Sequence, residues 1–295
     1  MRDREWRLVY PGVDLSFGPV DAPVVHLSAP EISEPEIRTD DTDRPRQDGI
    51  AFGVDFTGSR TITFDLGVLA DTEGQARTLL ADLANAWRAK SIRSSSRGAM
   101  AELHVQHAGR ERVIYGRPRR FAVSEEEIGE GFAAVAADFV TADDVFYGPA
   151  DESGSVALVP APSGGLTTPL TTPLTTTAKS DRSTVISVGG ELSAWPVVTV
   201  YGPITTPVIE VVGKWRMTLS ASIAAGDSVT VDTRPWARTV LRAGGGSLAG
   251  ALTRDSVRLA RAALAPGKYE IALRGIDATG TASMRIAWRP VYVSL

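Results

Sequence analysis

Any reactive chemistry in this chain must come from side chains other than cysteine, because the sequence contains none. Cysteine nucleophiles, disulfides and thiolate zinc sites are therefore excluded. Of the three histidines, only His104 and His107 are close in sequence. On a strand, residues with this i, i+3 spacing point to opposite faces and converge poorly on one metal. We interpret the pair as part of a strand, with a metal site as the alternative.

Three groups of neighbouring acids are candidates for acid-base chemistry: Asp40-Asp41-x-Asp43, Glu125–Glu127 and Asp143-Asp144. Adjacent strand residues face opposite sides, so none of the groups supplies the facing carboxylates that a glycosidase needs. Calcium binding by the first group is an alternative, although the turn glycine and distal glutamate of a calcium loop are missing.

No nucleophile elbow, phosphate loop, dinucleotide fingerprint or zinc-protease motif is present, and the glycine run that begins at Gly244 lacks a following lysine. We predict no catalytic residue, no metal and no cofactor.

Arginines form the densest charged group, with five in eleven residues: Arg110, Arg112, Arg117, Arg119 and Arg120. The simplest interpretation is a solvated strand edge. The alternative is a subunit interface, because residues 1–150 have 17 basic and 25 acidic residues, a net charge of −8. Residues 151–295 have 14 basic and 10 acidic residues, a net charge of +4. A basic edge on one copy would then meet an acidic edge on the next. Neither half has the concentrated basic face of a nucleic-acid binder.

The elements that position these residues are mainly strands. Residues 60–68 alternate strictly, which puts Ile62, Phe64, Leu66 and Val68 on one face. A helix follows, because Thr72 and Gln75 have capping-box spacing and an apolar stripe recurs at three- and four-residue intervals up to Trp87. Further strands are predicted at residues 101–106, 111–115, 119–123 and 130–139.

Residues 166–177 repeat Leu-Thr-Thr-Pro, which blocks helix and sheet ladders and favours an extended connection. At 295 residues the chain also exceeds the size of a typical single core. We predict a domain at 1–150, a linker at 151–180 and a domain at 181–295. In the last domain, short alternating runs separated by turn pairs indicate a β-sandwich. Predicted strands there are residues 195–201, 208–212, 216–222, 228–232, 239–241, 257–259, 268–274 and 283–292.

The first residues are charged and no window reaches the roughly 20 apolar residues of a membrane span. We therefore expect no signal peptide, no membrane span and synthesis in a cytoplasm.

The order of these features resembles the distal tail protein (Dit) family of long-tailed bacteriophages. In the first half, the resemblance rests on an opening strand, a strand-helix unit, a hairpin and an acidic-aromatic close: Trp6–Tyr10, Arg60–Trp87, Arg112–Pro118 and Asp138–Gly148. The second half is similar to the galectin-like sandwich of that family in three stretches: Tyr201–Glu210, Ile223–Thr233 and Leu264–Ile271.

This resemblance implies a mainly β protein with one α-helix, in which an N-terminal ring-forming domain precedes a C-terminal galectin-like β-sandwich. It implies a homohexameric ring at the tail tip of the virion, assembled in the host cytoplasm. The implied partners are the major tail protein above, the tail-tip hub or tail-associated lysin below, and the tape measure protein. The second domain would be a docking platform for tip or receptor-binding proteins.

A galectin-like fold also suggests sugar binding, for which an exposed aromatic platform is needed. The candidates are Trp215, Trp236 and Trp288. Trp288 alternates with core residues, so Trp236 is the best candidate. The simpler interpretation of Trp236 is packing on the rim of the sandwich. A carbohydrate-binding or adhesion protein is therefore the alternative function, and a sandwich glycosidase is a third.

Overall fold

The computed structural model describes residues 1–95, 98–158, 183–277 and 279–295. They form two compact units, one of Met1–Pro149 with Tyr292–Leu295 and one of Ala150–Val291. The predicted linker differs from this division at its start, because Glu152–Ala157 is a strand of the second unit. The Leu-Thr-Thr-Pro repeat lies outside the described residues. The last four residues, Tyr292–Leu295, belong to the first unit, whereas the prediction placed them in the C-terminal domain.

The described part of the first 150 residues contains thirteen strands and two helices. The strands are β1 Trp6–Tyr10, β2 Val13–Phe17, β3 Val24–His26, β4 Glu31–Ile32, β5 Ile37–Arg38, β6 Thr42–Asp43, β7 Ile50–Ala51, β8 Phe56–Thr57, β9 Thr61–Leu69, β10 Ala101–His107, β11 Arg110–Ser124, β12 Phe132–Thr141 and β13 Phe146–Tyr147. The helices are α1 Glu73–Arg88 and the single turn α2 Lys90–Arg93, and a short 3-10 turn covers Ile128–Glu130. The main sheet has the order β2-β1-β10-β11-β12-β9-β3.

Alternation decides which face of this sheet is buried. Ile62, Phe64, Leu66 and Val68 of β9 are all fully buried, as predicted. The Thr72 hydroxyl accepts a hydrogen bond from the Gln75 amide at 3.3 Å, which caps α1 where the sequence predicts.

Helix α1 covers the buried face of the sheet with an apolar stripe. Leu83 and Trp87 are fully buried, and the Trp87 indole donates to the Asp138 carbonyl at 3.1 Å. Edge-to-face contacts join Trp87 to Phe17 and Phe64 with ring centroids 6.0 Å apart. The helix and the sheet therefore share one core.

Two neighbouring strands predicted in this unit are one continuous strand in the structure. The predicted strands at residues 111–115 and 119–123 are one strand, β11, and the segment Arg112–Pro118 lies on the β11 side of the β10–β11 hairpin. The register with β12 shifts between Pro118 and Phe121, so the proline lies beside a bulge. Proline is tolerated there because a bulge interrupts the hydrogen-bond ladder.

Two five-stranded antiparallel sheets form the second unit and confirm the predicted β-sandwich. Their strands are β14 Glu152–Ala157, β15 Ser183–Val188, β16 Val197–Tyr201, β17 Ile204–Val211, β18 Trp215–Thr218, β19 Ser222–Ile223, β20 Ser228–Asp232, β21 Thr239–Arg242, β22 Gly267–Ile276 and β23 Ser283–Trp288. The orders are β14-β23-β16-β20-β21 and β15-β22-β17-β18, with β19 on β17. Short 3-10 turns cover Ala249–Ala251 and Leu259–Arg261.

Close packing between the two sheets is visible at Gly154 of β14. A Cβ atom there would lie 2.4 Å from Ile186 Cγ2 on β15, so only glycine allows this approach. The predicted strand at 257–259 is wrong, because those residues precede and enter a 3-10 turn. The predicted last strand is two strands, β23 and β24 (Val291–Tyr292).

Candidate functional site: surfaces for assembly

The five predicted interface arginines all lie on β11, but they do not form one group. Arg110 and Arg112 are at its start, roughly 25 Å from Arg119 at about 3.3 Å per residue. The Arg112 guanidinium lies 3.8 Å from the Tyr292 ring centroid, and its Nε donates to the Ser294 carbonyl at 3.4 Å. Arg112 therefore holds the C-terminal residues of its own unit.

At the bulge, Arg93 from α2 contacts the part of β11 that carries the other three arginines. Arg93 donates to the carbonyls of Pro118 at 2.5 Å and Arg119 at 3.1 Å. Arg117 donates to the Ala99 carbonyl at 2.8 Å, while Arg119 and Arg120 are exposed. We call Arg93, Arg117, Arg119 and Arg120 the arginine cluster.

Electrostatics make this cluster a strong positive surface. Burial lowers the pKa of the Arg93 guanidinium, and the charges of Arg119 and Arg117 lower it further. Among the described residues, no carboxylate forms an ion pair with any of the four arginines. The cluster therefore keeps its charge available for an anionic partner. Arg93 was missed from the sequence, because only the fold brings α2 beside the bulge.

A second surface is the hairpin of residues 33–58, which we call the arm. It contains two short ladders, β5 with β8 and β6 with β7. All residues from Glu36 to Thr57 are exposed except Asp41, which is half-buried. The Asp41 carboxylate accepts a hydrogen bond from the Gly53 amide at 2.8 Å. A Cβ on Gly53 would lie 1.9 Å from the Asp40 carbonyl oxygen, so the two strands approach closely there.

The returning strand of the arm has an apolar face in water. Ile50, Phe52, Val54 and Phe56 alternate with smaller or polar residues, the pattern of a half-buried strand. Nevertheless Phe52 is 87% exposed, Val54 64% and Phe56 55%. Contiguous exposed apolar surface of this kind marks an interaction site. This i, i+2 pattern was the available sequence signal, and sequence reasoning missed it.

A third surface is a groove on the outer face of the large sheet, which we call the alanine groove. It has a volume of about 420 Å³ and is floored by small residues of β11 and β12, among them Ala122, Ala134 and Ala136. Leu27 and Val123 border it and are 50% and 39% exposed. Inside it, the Ser28 hydroxyl donates to Asp65 Oδ2 at 2.8 Å. The floor leaves room for large side chains of another molecule.

The acidic turn after β12 contains a carboxyl group in an unusual setting. Asp143 Oδ1 is fully buried without a hydrogen-bond partner, while Oδ2 accepts from the Tyr147 hydroxyl at 2.5 Å. Burial raises the pKa of the Asp143 carboxyl to about 6, against the hydrogen bonds of Tyr147 and the Val145 amide, which lower it. The turn therefore contains a carboxyl group that titrates near neutral pH.

The candidate metal ligands are dispersed. Asp40, Asp41 and Asp43 lie on the arm, and His104 lies 3.3 Å from carboxylate oxygens of Glu102 and Glu111. Within the described ranges, no group of three or more histidine, aspartate or glutamate side chains is placed to hold a metal ion.

Nor does any helix in these ranges have the length and apolarity needed to cross a membrane.

Trp236, the candidate sugar platform, is half-buried. The Arg234 guanidinium lies 5.7 Å from its ring centroid, and Asp232 holds that guanidinium through hydrogen bonds of 2.6 to 3.2 Å. One face of the indole is therefore covered by a fixed cation. Trp288 is buried as predicted, and its indole donates to Glu152 Oε2 at 3.0 Å.

The fold, a helix-covered sheet followed by a two-sheet sandwich, is similar to that of chains in solved phage baseplate structures. The chain is similar to two structures of the phage P2 baseplate in its activated conformation. With calcium, the TM-score is 0.61 at 11% identity, covering 100% of both chains. With strontium, it is 0.57 at 13% identity, covering 96% of this chain and 97% of the other.

The chain is also similar to the Dit protein of phage SPP1, described as a paradigm of the hub adsorption apparatus in phages infecting Gram-positive bacteria. The TM-score is 0.56 at 15% identity, covering 97% of this chain and 98% of that one. No protein-family model and no curated protein sequence matches the chain. The predicted resemblance to distal tail proteins is therefore confirmed for the fold.

Proposed function

We propose that this protein is a structural component of a phage tail tip, and that six copies close into a ring through their first units. The observation that supports this most is the end-to-end match of both units to the SPP1 Dit protein and to phage baseplate chains. A match over one unit alone would fit many β-sandwich proteins. A match of both units in the same order along the chain is more specific for phage tail proteins.

The surfaces of the first unit support self-association. The arm exposes apolar side chains that a lone chain leaves in water, and the arginine cluster has no carboxylate partner in the described part of its own chain. Identical subunits that place two different surfaces in contact form rings when the rotation closes. In this proposal the ring works by shape and contact, without a chemical step.

Within the tail, the ring would join the major tail protein of the tube to the hub or tail-associated lysin below, with the tape measure protein as a further neighbour. The second unit would be the docking platform for tip or receptor-binding proteins. The protein would be assembled in the host cytoplasm and remain in the virion at the tail tip.

Three measurements test this proposal together. Native mass spectrometry of the purified chain in low salt is expected to give a hexamer, and negative-stain micrographs are expected to give six-fold rings. Antibody labelling of intact particles is expected at the junction of tube and tip. Label elsewhere on the particle, or a chain that is monomeric both alone and with the major tail protein, would overturn the proposal.

A further inference from the structure

We propose that the outer face of the β14-β23-β16-β20-β21 sheet binds an anionic glycan, with Arg285 holding the anion and Tyr201 stacking on a sugar ring. We call this surface the hydroxyl face. The ligand is a polyhydroxylated chain that carries a carboxylate or a phosphate. This inference goes beyond the proposed function, because the site lies within the second unit and does not depend on the ring.

Hydroxyl groups dominate this face. Buried and outward residues alternate along its strands, so the outward set can be identified from the burial pattern and the strand register. Eight of the fourteen outward residues in paired register are serine, threonine or tyrosine, and only Arg285 and Asp232 are charged. The Asp232 carboxylate is held by Arg234 through hydrogen bonds of 2.6 to 3.2 Å. Arg285 is therefore the unbalanced charge of the face.

The outer face of the other sheet shows what a solvated surface of this unit looks like. There Arg274 pairs with Glu210, and Arg216 pairs with Asp255, each at 2.7 Å. Its exposed cations are thus balanced by carboxylates of the same unit. The hydroxyl face departs from this pattern, and its free charge calls for an anion from another molecule.

Arg285 lies near the middle of the hydroxyl face. It is exposed, and it is paired with Thr199 on β16 and with Ser155 on β14. Its Nη2 donates to the Ser153 hydroxyl at 3.4 Å, and no carboxylate of the described ranges forms an ion pair with it. A guanidinium has five donors in a planar fork that matches a carboxylate or a phosphate. Arg285 therefore keeps donors for an anionic ligand.

Tyr201 supplies an aromatic surface beside this cation. It is 42% exposed and is paired with Ser283, which places it diagonal to Arg285. Diagonal neighbours on a sheet are within reach of aromatic and long side chains. An exposed aromatic ring packs against the apolar C–H face of a sugar and buries apolar surface of both. One ligand can therefore contact Tyr201 and Arg285 together.

The neighbouring hydroxyls suit the polar edge of the same ligand. Thr199 and Thr230 face each other with their hydroxyl oxygens 3.2 Å apart, and each hydroxyl can donate or accept. The five strands, at about 4.8 Å spacing, give a row about 19 Å wide, which accommodates a short oligosaccharide. A neutral glycan would use the hydroxyls and leave Arg285 without an anion, so the face favours a charged one.

The test compares two variants of the face with matched controls on the other sheet. Arg285→Ala removes the unpaired cation, and Arg274→Ala is its control because Arg274 is already paired with Glu210. Tyr201→Ser removes the aromatic ring, and Val185→Ser is its control because Val185 is a 65% exposed apolar residue. All four side chains are exposed, so circular dichroism melting curves are expected to match the wild type.

Isothermal titration calorimetry of the full chain measures binding of three probes in low salt. Two are anionic, an oligogalacturonate with carboxylates and a glycerol phosphate oligomer with phosphates, and the third is the methyl ester of the oligogalacturonate. The wild type is expected to bind at least one anionic probe, and at least about 10-fold more tightly than the neutral ester, because hydrogen bonds to charged groups are the stronger ones. The anionic probe that binds identifies the anion.

Arg285→Ala is expected to weaken binding of that probe at least about 10-fold, and Tyr201→Ser about 5-fold. Both controls are expected to bind like the wild type, and high salt is expected to weaken binding. No binding of either anionic probe by the wild type would overturn the proposal. So would equal binding of the ester, or an equal loss in Arg274→Ala and Arg285→Ala. Ring formation is measured separately by native mass spectrometry, so either proposal can fail while the other stands.

Discussion

Replacing Asp143 by asparagine removes a carboxyl group whose ionisation opposes folding. Its Oδ1 atom is fully buried and unpartnered, and burial raises its pKa from 3.8 to about 6. The two values differ by about 2, which corresponds to about 3 kcal/mol of stability at about 1.36 kcal/mol per pKa unit. Above pH 6 the folded protein keeps a costly buried charge, which asparagine does not have.

The sign of the pH effect follows from proton binding. Between about pH 3.8 and 6, the folded carboxyl keeps a proton that the unfolded chain has released. Stability from this group therefore rises as the pH falls through 6 and is complete below the unfolded pKa. Relative to Asp143→Asn, the free energy of unfolding of the wild type is expected to rise by about 2.4 kcal/mol between pH 7.5 and pH 4.

Another buried group makes the comparison with a variant necessary. Burial lowers the pKa of His26, so its contribution to stability is lost as the pH falls below the unfolded value of 6.5. When the wild type is measured by itself, this loss of stability partly cancels the gain from Asp143. Both proteins contain His26, so their difference isolates the carboxyl group.

Urea unfolding followed by pulsed hydrogen exchange of β12 peptides measures the first unit separately from the second. Asp144→Asn is the matched control, because it removes a neighbouring charge while leaving the buried carboxyl in place. The Asp144 charge is the smallest of the causes that raise the Asp143 pKa, so this profile should keep the wild-type shape and move only a little to lower pH. Tyr147→Phe removes a hydrogen bond that lowers the Asp143 pKa, so its profile should move to higher pH. A difference between wild type and Asp143→Asn that is constant from pH 4 to 7.5 would refute the reasoning.

Three further perturbations follow from single contacts. His26 stacks on Phe64 with both ring nitrogens buried and unpartnered, so His26→Phe should lose less thermal stability than wild type between pH 7.5 and 5; equal losses would contradict this. Gly154→Ala should destabilise the second unit by about 1–3 kcal/mol in calorimetry through overpacking on Ile186, whereas Gly244→Ala, with open space around it, should have little effect. Arg112→Ala should speed hydrogen exchange in Tyr292–Leu295 and cost about 0.5–1 kcal/mol, with exposed Arg110→Ala as control; unchanged exchange would exclude the cation–π contact.

Elements with a strong period could be predicted from sequence. The alternation of β9 and the capped stripe of α1 were predicted correctly, because both depend on residues within a few positions of each other. The single strand β11 was predicted as two strands on either side of Pro118, since a proline in a strand is ambiguous until a bulge is seen beside it. The apolar face of the arm was readable but missed, because its strands have no core partner.

By itself, the sequence determined the mainly β class, the α1 cap, the sandwich and the absence of cysteine chemistry. Only the tertiary structure separated Arg112 from the other interface arginines, brought Arg93 to them and buried Asp143 Oδ1. Periodicity and capping act between near neighbours in the chain. Burial and electrostatic environment depend on residues that are distant in sequence, so charges and surfaces acquired their roles only when the chain folded.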